Sequence, residues 1–371
     1  MKFVLFTHVP HHQVDNLYFA YSPYVIEMNI WAKHVDEFVV VAPLVRKDLS
    51  AIDASYSHQN IQFISVPSFD LVSVKAILGT FFKLPVLFWT IYKAMRVADH
   101  IHLRCPSNVG LLGCLVQILF PKTSKSAKYA GNWDPKSKQP WSYKLQQRIL
   151  SNTFFTRNMK VLVYGEWANS SKNILPFFTA TYSEKEKTPV TQKKLQPVIN
   201  FIFVGTLTIG KNPLYAIQLI KRLRHKGYPV RLQMYGEGNQ RKLLEDYLLE
   251  QQLETIVNLN GNQSKEVLVK AYQDCHFVVL PSESEGWPKA IAEGMFYGCV
   301  PIATQVSCVP FMLDYGNRGL LLNIDLDKDC LQIEKIIKNQ PLYADMQNQA
   351  ATWSQKYTLE VFESEIIKIL K

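Results

Sequence analysis

The chain runs through one pattern twice. Short apolar runs alternate with longer amphipathic stretches, a polar break follows, and the alternation begins again. In the first pass Phe3–Phe6, Glu37–Val41, Ile61–Val66, His100–Leu103, Ser126–Tyr129 and Lys160–Tyr164 have the length and β-branched or aromatic content of buried strands. Tyr24–His34 and Val109–Leu119 carry helical periodicity between them. The break spans Ser183–Pro197, with charged residues at 184–187 and 193–194, and reads as a linker. In the second pass Asn200–Val204, Val230–Tyr235, Ile256–Leu259, Phe277–Leu280, Val300–Ala303 and Gly319–Leu322 read as strands. Leu214–His225, Gln240–Gln252, Lys265–Asp274 and Lys289–Tyr297 read as the helices. Strands separated by helices form parallel sheets that need cover on both faces. The expectation is therefore α/β, with two Rossmann-like domains at 1–190 and 198–350. A ligand cleft is expected where the strand carboxyl ends of such units meet.

Composition restricts what the two units could bind. The 371 residues hold 41 Lys and Arg against 31 Asp and Glu, a formal net charge of +10. The excess is lopsided: residues 1–195 contain 23 basic and 12 acidic side chains, residues 196–371 contain 18 and 19. A basic half points to an anionic substrate, a membrane surface or nucleic acid. The six cysteines form no paired spacing, which fits buried thiols better than a disulfide frame or a zinc site. The amino-terminal apolar run is too short for a signal-peptide core. The most apolar stretch, Ala76–Tyr92, is interrupted by Lys83 and Pro85 and falls short of a membrane span.

Two loops of the second unit carry chemistry. Phe201–Val204 is followed by Gly205, Thr206, Gly210, Lys211, Asn212 and Pro213. Glycine lets a ligand approach the backbone, a helix amino terminus favours an anion, and Lys211 adds a positive charge. The spacing nearly matches a P-loop, but Asn212 stands where a magnesium-binding hydroxyl would be needed. After Phe277–Leu280 come Pro281, Ser282, Glu285, Gly286, Trp287, Pro288 and then Glu293 among small and apolar residues. Pro288 is expected in the first turn of that helix. Two carboxylates beside an anion-binding loop are poor phosphate ligands and good acceptors for sugar hydroxyls. A carboxylate on a buried helix needs a partner.

The series Gly205-Thr206-Leu207, Lys211, Tyr235-Gly236-Glu237-Gly238, Pro281-Ser282-x-x-Glu285-Gly286-x-Pro288 and Glu293-Gly294-Met295-x-x-Gly298-x-x-Pro301 resembles the donor half of a retaining GT-B glycosyltransferase of family 4. The resemblance covers roughly residues 200–325. It implies that Lys211 clamps the donor diphosphate beside Gly205, Thr206 and Asn212. Glu293 would hold the ribose hydroxyls and Glu285 the transferred sugar. Gly286, Trp287 and Pro288 would bring backbone to sugar and diphosphate, Gly236 and Gly238 would lie near the nucleotide, and Gly261 and Asn262 near the base. It also implies a terminal segment, 351–371, crossing back to the first domain. The donor would be a UDP- or GDP-sugar used as substrate, with no cofactor and no metal.

The match has departures. The family usually has an arginine where Thr206 stands, and a first-domain histidine where this chain offers Asn132 and Asp134. Asp134 is the candidate catalytic residue there, and Asp134-Pro135 also reads as a turn. His8, His11 and His12 follow the first strand, and Arg104 ends another; with Asn132 these are the acceptor-side candidates. Aromatics interleave with lysines at Phe81-Phe82-Lys83, Phe88-Trp89, Tyr92-Lys93 and Trp141-Ser142-Tyr143-Lys144, a composition suited to an anionic membrane surface.

The expected activity is retaining transfer of a sugar to a hydroxyl of a glycan or lipid-linked acceptor, in surface-polysaccharide assembly. The expected location is cytoplasmic, with a peripheral position on the inner face of the plasma membrane. The alternatives are a nucleotide-sugar epimerase of the same fold and a P-loop-like NTPase. No recognised nucleic-acid motif is present.

Overall fold

The computed structural model describes residues 1–46, 49–50, 53–67, 83–195 and 197–371. Phe81 and Phe82, and the start of the apolar stretch at Ala76, lie outside the described residues. The chain forms two compact units, residues 1–178 with 362–371, and residues 179–361.

In the first unit the strands are β1 (Lys2–Phe6), β4 (Glu37–Ala42), β6 (Ile61–Ser65), β7 (His100–Cys105), β8 (Ser124–Tyr129), β9 (Met159–Tyr164) and β10 (Ile174–Phe177). Among the described residues they form one sheet in the order β10-β9-β8-β7-β1-β4-β6, with every pair parallel. The most apolar run becomes an interior strand between β7 and β4, and Phe3, Val4, Leu5 and Phe6 are fully buried. Alternation along β1 divides them. Val4 and Phe6 join the cluster with Leu87, Ile91 and Met95 of the helix Leu84–Arg96. Phe3 turns to the other face and stacks on His100 at 5.2 Å and against Trp31 at 5.7 Å.

A smaller antiparallel sheet, β2 (His12–Val14), β3 (Leu17–Tyr21) and β5 (Asp53–Ser55), stands beside the main one in sequence order β2-β3-β5. The sequence reading has only a loop there. Val14 pairs with Leu17, so Asp15-Asn16 is a two-residue hairpin turn, and Asp15 takes a left-handed backbone (φ 52°) that short polar side chains tolerate. β10 contains Pro176, which an edge strand accommodates. Pro85, read from sequence as an interruption, sits in the first turn of the helix Leu84–Arg96.

The second unit repeats the plan. Its strands are β11 (Ile199–Val204), β12 (Val230–Tyr235), β13 (Val257–Leu259), β14 (Phe277–Leu280), β15 (Val300–Thr304) and β16 (Leu320–Leu322). They are parallel in the order β13-β12-β11-β14-β15-β16. The strand order reverses between β11 and β14, and ligands of doubly wound sheets bind at that switch point, outside the strand carboxyl ends. Both glycine-bearing loops singled out from sequence leave those two strands. Residues 183–195 belong to this unit. Ser183 and Glu186 form a capping box, Lys193 donates to the Tyr272 carbonyl at 3.0 Å, and Leu195 is buried. Asp325 caps the helix Leu326–Ile337 through the Lys328 amide at 3.2 Å. The last helix, Leu359–Leu370, passes from the second unit into the first.

All six cysteines are buried free thiols. Among the described residues no helix is long and apolar enough to cross a membrane, and no group of three or more His, Cys, Asp or Glu side chains could hold a metal ion.

Candidate donor site

Backbone hydrogen bonds join the loops after β11, β12 and β13. The Gly205 amide donates to Tyr235 O (2.9 Å), Leu207 to Glu237 O (3.0 Å), Gln240 to Leu207 O (2.9 Å) and Gly236 to Gly261 O (2.8 Å). The approach is too close for side chains. A Cβ on Gly236, at φ +134°, would fall 2.0 Å from the Gly205 carbonyl oxygen, and one on Gly238 would fall 2.3 Å from that of Leu207. These glycines are required by how the loops meet. At the outer end Arg241 pairs with Glu237 and with Glu245 (2.8 Å) beside Gly261. Asn262 is exposed.

The β11 loop ends in a single turn, Ile209–Lys211, and Asn212 in the left-handed region (φ 52°). Pro213 then opens the helix Pro213–His225. Thr206 is exposed. The β14 loop is anchored from below: Thr304 donates to Ser282 O, Ser307 to Gly286 O at 3.3 Å, and the Cys308 thiol to Gly286 O at 3.1 Å. Trp287 is buried on Trp353, with ring centroids 6.0 Å apart, and on Tyr357 at 5.6 Å. Its side chain therefore fixes the loop. Pro288 precedes the first residue of the helix Lys289–Phe296 and serves as its cap, one position earlier than expected.

The two loops meet through one backbone bond and one ion pair. Glu283 N donates to Gly210 O at 2.9 Å, and Lys211 Nζ lies 2.5 Å from Glu285 Oε1. The Glu285 side chain is 8% exposed and that of Lys211 28%. Glu293 has separate partners, the Thr181 side chain and the Tyr272 hydroxyl at 3.3 Å. Burial raises its carboxyl pKa, against the opposing pull of Thr181 and Lys289. Thr181 and Tyr272 escape a motif reading, because nothing in their own neighbourhood marks them. Their signal is indirect, the partner that a carboxylate on an apolar helix requires.

The first-domain candidates divide in two. His11 is fully buried between Val9 O and Tyr56 Oη, both at 2.8 Å, and burial lowers its pKa to about 4. His12 is 7% exposed, whereas His8 lies open at the carboxyl end of β1. Arg104 pairs with Glu27 of the helix Ser22–Ala32, and Lys128 reaches the same carboxylate oxygen at 3.0 Å. That buried cluster was not anticipated, although Glu27 in an apolar helix is the kind of residue that demands one. Asp134 accepts the Lys136 amide at 2.8 Å, and Asn132 Oδ1 accepts the Asp134 amide at 2.9 Å, so both side chains brace one turn.

Residues 184–353 match the model of the glycosyl transferases group 1 family. The match takes in β11 to β16 and every donor-side candidate. An uncharacterized glycosyltransferase of Methanocaldococcus jannaschii is 27% identical over 43% of this chain and 44% of its own length. WcaL of Salmonella typhimurium, named for colanic acid biosynthesis, is 26% identical over 33% of this chain and 32% of its own. The chain thus spans under half the length of these curated relatives. Among solved structures, Anabaena HepE in complex with UDP and glucose aligns over 100% of this chain and 99% of its own, at TM-score 0.66 and 12% identity. Sucrose-phosphate synthase of Thermosynechococcus elongatus aligns over 100% and 98%, at TM-score 0.64 and 15% identity. The fold is GT-B, two parallel-sheet α/β domains.

Proposed function

We propose that the chain is a retaining glycosyltransferase of family 4, moving a sugar from a UDP- or GDP-sugar to a hydroxyl of a glycan or lipid-linked acceptor. The observation that carries this is the Lys211–Glu285 pair, set at the switch point of the second sheet within the region that matches glycosyl transferases group 1. A nucleoside diphosphate leaving group needs a cation and backbone amides, and Lys211 with the amino end of the helix Pro213–His225 offers both. A transferred sugar needs a hydroxyl acceptor nearby, and Glu285 offers a carboxylate. Glu293, raised in pKa and already holding hydroxyl donors, suits a ribose diol.

The reaction needs no side-chain nucleophile in this reading. The acceptor hydroxyl attacks on the face the diphosphate leaves, and the departing phosphate oxygen takes the hydroxyl proton. Lys211 stabilises the charge that develops on that phosphate. No metal is required, and acceptor recognition falls to the basic first domain, with His8, Arg104 and Asn132 as its candidates and Asp134 as the candidate catalytic residue. The name of WcaL supports polysaccharide assembly, and the HepE complex with UDP-glucose supports a UDP-sugar. The cytoplasmic face of a membrane is the location that suits a lipid-linked acceptor. The test is a transfer assay against glycan and lipid-linked acceptors with the product's anomeric configuration read by NMR. Retention supports the proposal; inversion, or donor turnover that ignores every acceptor hydroxyl, refutes it.

A further inference from the structure

The first domain has a second concave surface at the opposite edge of its sheet. Arg104, Asn132 and His8 lie at the carboxyl ends of their strands, whereas this pocket is lined by the amino ends of β8 (Ser124, Lys125) and β9 (Met159, Lys160). Its volume is about 830 Å³. Six cationic side chains line it, Lys122, Lys125, Arg157, Lys160, Lys172 and Lys371, and no acidic side chain does.

No acidic side chain in the lining offers them a counter-charge. Among the described residues none of the six forms a side-chain ion pair, although seventeen other Lys, Arg, His and terminal amino groups do so elsewhere in the chain. Lys160 donates to the carbonyls of Lys368 and Ile369, at 2.8 and 3.2 Å. Arg157 lies over the Phe154 ring at 4.7 Å. Lys125 is 1% exposed, and its ammonium donates to Phe120 O at 2.6 Å. An ammonium has three donors, so this bond leaves two. Burial without a counter-charge pushes the Lys125 pKa down to about 8. Thr153, Asn158 and Asn173 add polar groups to the lining.

Like charges gathered on one concavity repel one another, and a bound anion is what relieves that repulsion. We propose that this pocket binds a phosphate-bearing anion, separately from any donor nucleotide. The exposed rings of Phe154 (67%) and Phe155 (41%) stand on the same segment as Thr153 and Arg157. They make a lipid phosphate one source of that group; a free phosphate or pyrophosphate is the other.

The 371-residue protein carrying K122Q, R157Q and K172Q tests this. All three side chains are exposed, so the fold should survive, and an unchanged melting temperature checks that it does. A second variant, K122R with K172R, keeps the charge. Pyrophosphate binding is measured by calorimetry in a Lys211→Ala background, which removes the diphosphate candidate in the other domain. Cosedimentation with vesicles of phosphatidylcholine, with and without phosphatidylglycerol, is measured in parallel. Loss of three exposed cations should weaken binding roughly ten-fold or more, in a salt-dependent way, while the arginine variant binds as the parent. Loss in both assays assigns a lipid phosphate, and loss in calorimetry alone assigns a soluble one. No binding by the parent in either assay, or binding the triple substitution leaves unchanged, overturns the proposal.

Discussion

Lys211 and Glu285 neutralise each other in the free protein, and this has opposite consequences for stability and for ligand binding. Removing one partner of a fully buried pair costs about 3–5 kcal/mol. Lys211 is 28% exposed, so water screens part of that loss. Lys211→Ala should therefore destabilise the second domain by about 1–2 kcal/mol. Glu285→Gln leaves a cation that water can reach, and should cost less than about 1 kcal/mol. The double substitution should cost less than the sum of the singles, by about 1 kcal/mol of coupling. For UDP binding the signs separate. In the proposed donor site, Lys211→Ala removes the cation that would meet the diphosphate. Glu285→Gln frees that cation from a competing carboxylate, so UDP should bind several-fold tighter while sugar transfer slows. Urea unfolding and calorimetric titration of UDP read both quantities on the same four proteins. If Glu285→Gln weakens UDP as much as Lys211→Ala does, the two side chains do not compete and the reasoning fails.

Other predictions follow from single observations. Gly236→Ala places a methyl 2.0 Å from a carbonyl oxygen, and backbone must move; a loss of about 3 kcal/mol or more in urea unfolding is expected, with weakened nucleotide binding. Glu293 has a raised pKa, so its ionised form opposes folding above that pKa and the penalty vanishes below the unfolded value. Glu293→Gln should raise the melting temperature at pH 7 and lower donor affinity, measured by scanning fluorimetry with and without UDP-sugar. His11 and His100 are buried neutral, each with a pKa of about 4 against an ordinary 6.5. The unfolded chain binds protons that the folded one refuses, so stability is full above about pH 6.5 and falls as pH drops toward 4. The expected loss is about 3 kcal/mol per histidine, and His11→Gln should flatten the slope of stability against pH.

The sequence marks what depends on local pattern. The interior strands were visible because β1 and β11 are short, continuous and apolar, as strands buried on both faces are. Lys211, Glu285 and Glu293 were visible because a strand, a glycine loop and a helix follow one another along the chain. What was hidden depends on distant residues. Glu27 meets Lys128 across 101 positions and Glu293 meets Tyr272 across 21, and neither distance has a periodicity. The β2–β3 hairpin was legible in principle, since Asp15-Asn16 separates two pairing runs, but both strands are too short and too exposed to alternate clearly. The charge split of the two halves is now partly located. Five of the first half's 23 basic side chains line one pocket at the amino edge of its sheet, without carboxylate partners.

The most direct test of the donor site is a calorimetric panel of UDP- and GDP-sugars against the parent protein, Lys211→Ala and Glu293→Ala. The account predicts that at least one nucleotide sugar binds the parent, that Lys211→Ala weakens it through the diphosphate, and that Glu293→Ala weakens the corresponding free nucleoside diphosphate as well as the sugar. Absence of binding across the panel, or affinities that neither substitution changes, would contradict it.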